Sequence, residues 1–157
     1  MVWYVDLRAF VSNDIDLCHQ FNTFNQSLSA LQQAIEPITK PADKPATTHL
    51  DAIAASEICE QVNNLQQQFQ SILVALSSAV SESAIAPAVA QRIGPYQTEA
   101  HRRVRLISIE SMRLKTARQP ALIDRVRSQL LRHLSQLQQF MQAMTAEVCE
   151  AEDSGVS

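Results

Sequence analysis

The chain has 157 residues and a formal net charge of −3, with two glycines, six prolines and three cysteines. That length fits one domain with an ordinary apolar core. So little glycine excludes phosphate-cradling loops, which need backbone at positive φ or in close approach to a ligand. Gly94 stands before Pro95 and Gly155 near the last residue, and neither opens a Gly-rich loop.

The charge is unevenly spread. Ten of the thirteen Lys and Arg lie between Arg92 and Arg132 beside only Glu99, Glu110 and Asp124, a local net of +7. Residues 1–91 carry −6 and residues 133–157 carry −4. Such a block makes a field that can steer an acidic partner.

Residues 1–13 read two ways. Trp3, Leu7 and Phe10 can extend the first helix backwards or form an apolar arm, and Asp6 and Arg8 break any signal-type apolar run. From Asp14 the apolar positions Cys18, Phe21, Phe24, Leu28, Leu31 and Ile35 advance by threes and fours, one stripe of a helix. Pro37, Pro41 and Pro45 end it and make 37–48 an extended linker. A second helix starts near Thr48 or His49 with the stripe Ile58, Val62, Leu65, Phe69, Ile72, Leu76 and Val80, its outer face filled by Gln and Asn. Pro87 and Gly94-Pro95 punctuate the next stretch, so a short turn over 88–93 and a third helix over 96–118 are expected. Pro120 suits the first turn of a fourth helix, whose stripe is Ile123, Val126, Leu130, Leu134, Leu137, Met141, Met144 and Val148. Its short hinge to the third helix makes that pair antiparallel. The fold class is therefore all-α, an antiparallel up-down bundle of four helices, or of three with a loosely attached first helix. The domain spans 14–149, and 150–157 reads as a disordered tail.

The third helix has two apolar faces. At ~100° per residue, Tyr96, Ala100, Val104, Ile107, Ser111 and Leu114 share an arc of about 80°, the core side. Leu106 and Ile109 lie roughly 110–170° away with Arg102, Arg105 and Arg113. Glu99 and Glu110 border this patch at pairing distance from Arg103 and Arg113. Arg around aliphatics suits a protein interface, while the alternative buries Leu106 and Ile109 between bundle neighbours and lets the Arg heads reach water. Arg102, Arg103, Arg105, Leu106, Ile109 and Arg113 form the candidate partner-binding site.

Catalytic and metal chemistry find no support. The four histidines are scattered, with no HExxH and no repeated Glu-x-x-His, and no base partner orients a Ser or Thr. No metal or cofactor is expected, and the chain reads as a non-enzyme. Cys18, Cys59 and Cys149 are an odd set in apolar patterns, read as reduced core side chains of a cytoplasmic protein. No run approaches the ~20 apolar residues of a membrane span, so no membrane insertion is expected. Nucleic acid is the less favoured partner for the basic block, because only Tyr96 interleaves it and helix-turn-helix spacing is missing. Self-association into a homo-oligomer, with the acidic 14–82 region of one copy against the basic block of another, is a further alternative.

The stretch Pro95-Tyr-Gln-Thr-Glu-Ala-His-Arg-Arg-Val-Arg-Leu-Ile, then Thr116-Ala-Arg-Gln-Pro-Ala and Leu65-Gln-Gln-Gln-Phe69, resembles the cyanobacterial heterocyst frequency control proteins of the PatD family. The likeness covers about 65–145, and residues 1–50 differ from the family. The resemblance implies a regulatory protein of cell differentiation and cell division that acts on the division protein FtsZ, without catalysis. It supplies no binding residues, so the third-helix patch rests on charge and helical geometry alone.

Overall fold

The computed structural model describes the backbone of residues 7–36 and 48–150 and the side chains of 17–36 and 54–149. Residues 1–6 of the arm proposed over 1–13, the linker residues 37–47 and the tail residues 151–157 lie outside these, as do the side chains of Leu7 and Phe10. Four helices follow in order: α1 Leu7–Ile35, α2 Thr48–Ser81, α3 Pro87–Thr116 and α4 Pro120–Thr145, closed by a π-helical turn, Ala146–Glu150. They form an antiparallel four-helix bundle, with no strand among the described residues.

Each stripe becomes a core face. Phe21, Phe24, Leu28, Leu31 and Ile35 of α1 are buried, together with Leu17, and α1 packs on both α2 and α4. A loosely attached first helix is therefore not what forms. Phe24 and Phe69 meet in the interior with ring centroids 6.0 Å apart, and each such side chain contributes about 1.5–3 kcal/mol by leaving water. On α4 the stripe from Val126 to Met144 is buried along its length and Val148 of the π-turn continues it, with Ile123 half-buried at the start.

The α2–α3 connection is a tight corner. Ser83 stands at φ 61°, the left-handed region, so that the Ala84 and Ile85 N–H groups donate to Ala79 O at 2.8 and 3.2 Å. This satisfies a carbonyl that the helix end would otherwise leave bare. Pro87 then starts α3, where its missing N–H costs nothing. At the other end Ala117 N–H donates to Arg113 O at 2.8 Å, and Arg113 and Lys115 in the last turn oppose the helix dipole. Pro120 opens α4 two residues after Arg118.

Three sequence expectations need correction. The third helix does not begin after Gly94-Pro95 but at Pro87, and it runs through Pro95 without a break. The Pro95 ring is exposed, Gly94 has no Cβ to clash with it, and Thr98 Oγ1 donates back to Gly94 O at 3.1 Å. Two stripe positions also face outward: Tyr96 and Val80 are exposed, the buried position beside Val80 being Ala79. Tyr96 packs instead on Phe140 across the α3–α4 seam, centroids 6.4 Å apart. Finally, the cysteines are not three reduced thiols. Cys18 of α1 and Cys149 of the π-turn form a disulfide across a Cα separation of 6.0 Å, and Cys59 alone is free. The two helices' packing brings residues 131 apart within bonding reach, which spacing along the chain does not reveal.

Candidate partner-binding surface on the third helix

The six candidate residues fall into two groups. Arg102 and Arg105 are exposed, Ile109 is 42% exposed, and the Arg113 side chain is 63% exposed. With them stands Met112, 62% exposed, one turn beyond Ile109. Met112 is absent from the sequence-derived patch although its place on the helix wheel, beside Arg105 and Ile109, makes it legible. Together these residues give α3 an outer crest of apolar surface between guanidinium groups.

Arg103 and Leu106 are half-buried, and Arg103 belongs to the seam with α4. Arg103 turns across to α4, away from Glu99, and its Nη1 donates to His133 Nδ1 at 3.1 Å. The pairing with Glu99 that the spacing allowed does not form, because the α3–α4 register sets Arg103 opposite an imidazole acceptor. Burial pushes the His133 pKa below the ordinary imidazole value, the Arg103 guanidinium adds to this, Glu110 opposes it, and Arg132 lowers it further. A neutral ring with a lone pair on Nδ1 is the form that accepts from Arg103.

Glu110 is the second unexpected member of the seam. It is 6% exposed, and its Oε1 accepts from Arg113 Nη1 at 3.2 Å while Oε2 is buried without a hydrogen-bond partner. Arg113 thus has two jobs: its methylene stem and head border the crest, and its charge answers a buried carboxylate. Arg127 of α4, another cation of the basic block, is buried as well, with Asp124 at 3.7 Å. Arg92, at the far end of α3, bonds Glu147 at 2.8 Å and ties the π-turn to α3.

On its other side the crest borders a groove of about 610 Å³ between α2 and α3. Arg105 lines it, facing polar side chains of α2. Below it, Cys59 Sγ donates to Ser111 O at 3.1 Å and ties α2 to α3.

Among the described residues no three or more His, Cys, Asp or Glu gather as a metal site. No described helix is long and apolar enough to cross a membrane. Set against protein-family models, characterised proteins and solved structures, the chain has no match.

Proposed function

We propose that this chain is a non-catalytic regulatory protein that binds a protein partner through the outer crest of α3. The observation that carries this is the exposure of Ile109 and Met112 between Arg102, Arg105 and Arg113. Aliphatic and thioether side chains there leave water only when a partner covers them, and guanidinium forks orient an acidic one. The resemblance to the PatD family makes FtsZ the first partner to try, and a role in division and differentiation the first to test. The setting is then the cytoplasm. The Cys18–Cys149 bond pulls the other way, since disulfides persist in oxidising compartments. Thiol counting on acid-quenched cells decides: a fully bonded pair removes the cytoplasmic placement.

The experiment is co-sedimentation with FtsZ polymers, alongside affinity capture from the native cell, using wild type and Arg102→Glu/Ile109→Asp. Arg113 is left alone because its loss would strand Glu110 and confuse folding with binding. The double variant should lose the partner while keeping its helical CD signal and melting temperature. Retained capture sinks the crest as the site, and recovery of nucleic acid alone, with an affinity falling steeply with salt, replaces the reading with a phosphate-binding one. Capture of the chain itself, with a mass in light scattering that drops in salt, replaces it with self-association.

A further inference from the structure

The groove beside the crest has an unusual lining for a chain of net negative charge. Its α2 wall is a row of side-chain amides from Asn63, Gln66, Gln67 and Gln70, and its α3 wall carries His101 and Arg105 one turn apart. The floor is apolar, formed by the buried Phe69 and Val104, with the Phe69 ring 6.0 Å from the His101 ring. Among the described residues no carboxylate lines it. Arg105 has no ion-pair partner among the described residues, unlike Arg92, Arg113 and Arg127.

Each lining type has a matching ligand group. A carboxamide both donates and accepts, as a peptide unit does, so a row of amides can take up the N–H and C=O groups of another main chain. The planar fork of Arg105 suits a carboxylate, bidentate and charge-assisted. From Asn63 to Gln70 the wall runs about 10 Å along the helix, room for about three residues of extended chain at ~3.3 Å each.

We propose that this groove binds an extended acidic peptide segment of the partner, with a carboxylate on Arg105 and main-chain groups on the Asn63–Gln70 row. The proposal rests on the partner-binding reading of α3 and names the partner's chemistry. It also adds a second wall, on α2, to a surface that the sequence placed on α3 alone.

The test uses the full-length protein, isotope-labelled, titrated with a capped hexaglutamate peptide and a capped hexaglutamine control while NMR follows individual side chains. Hexaglutamate should move the side-chain amide signals of Asn63, Gln66, Gln67 and Gln70 and the Arg105 Nε–H signal, and hexaglutamine should not. Gln66→Glu/Gln70→Glu should weaken hexaglutamate at least tenfold, and Gln67→Lys should tighten it, which keeps the test alive if the double variant folds poorly. No movement overturns the proposal, as do equal shifts at Arg118, Arg125 and Arg132 or undiminished binding in the double variant. Partner capture separates the two readings. If the α2 variant keeps a partner that Arg102→Glu/Ile109→Asp loses, the groove is wrong and the crest stands. If hexaglutamate seats in the groove while the crest variant keeps its partner, the crest is wrong.

Discussion

Removing the Cys18–Cys149 bond should cost about as much as truncating a large, fully buried core side chain. The perturbation is Cys18→Ser, or reduction of the unaltered protein. The bond closes a loop of residues 131 apart, and chain-entropy reasoning assigns such a loop about 5 kcal/mol through restriction of the unfolded ensemble. Measured values fall below this where the unfolded chain keeps structure, and a helical chain does so, which sets the expectation at about 3–5 kcal/mol. Since a domain of this kind has only about 5–15 kcal/mol in total, the loss is visible without extrapolation. The assay is urea unfolding followed by CD at 222 nm, with and without dithiothreitol. The midpoint should fall, and the slope m should rise because the uncrosslinked unfolded state exposes more surface. Cys18→Ser should be indifferent to the reductant. Alkylation of unreduced, denatured protein should label Cys59 alone of the three cysteines. Three labelled thiols, or a Cys18→Ser midpoint equal to that of oxidised wild type, would refute the reasoning.

Other parts of the bundle give three further expected outcomes. His133 has a depressed pKa in the fold, so the unfolded state binds more protons between that value and the ordinary ~6.5. Stability should be complete above about 6.5 and fall as pH drops through the folded value, and His133→Gln should flatten that part of a thermal-melt profile; an unchanged slope is the contrary result. Ser83→Gly should stabilise by about 0.5–1 kcal/mol in chemical denaturation, because the left-handed φ of 61° costs a side-chain-bearing residue more than glycine. Phe69→Ala should cost about 3–5 kcal/mol by the same measurement, since the ring is wholly buried against Phe24 and floors the α2–α3 groove. A loss below about 1 kcal/mol would mean that the interior there collapses freely.

The bundle was legible in the sequence wherever one helix decides its own pattern. The α4 stripe is the clearest case: its apolar positions keep one face for the whole helix, and Pro120 marks the start. Only part of the crest was legible: the second apolar arc of α3 set Ile109 outward beside Arg102, Arg105 and Arg113, but Leu106 is half-buried and Met112 was missed. What escaped depends on pairs of helices. Arg103 meets His133, and Tyr96 turns to Phe140, only once the short hinge sets the α3–α4 register. Cys18 reaches Cys149 only because α1 packs on α4 and the π-turn brings the cysteine round. The groove needs a wall from each of two helices, so Gln66 and Gln70 looked like solvent-facing filler. Pro95 misled for a different reason: one absent hydrogen bond on an exposed face is too small a defect to stop a helix buried along its other side.

The α3–α4 seam has one more consequence, for uniqueness. Tyr96 and Arg103 are seven residues apart, as are their partners Phe140 and His133. Sliding α4 by one heptad would keep its apolar stripe against the core and cost little by burial alone. It would also set the Arg103 guanidinium against Phe140 or Val126 and leave His133 facing Tyr96 or Glu110. The half-buried Arg103–His133 pair therefore marks the register of these two helices, since either slide takes the imidazole acceptor away from the guanidinium.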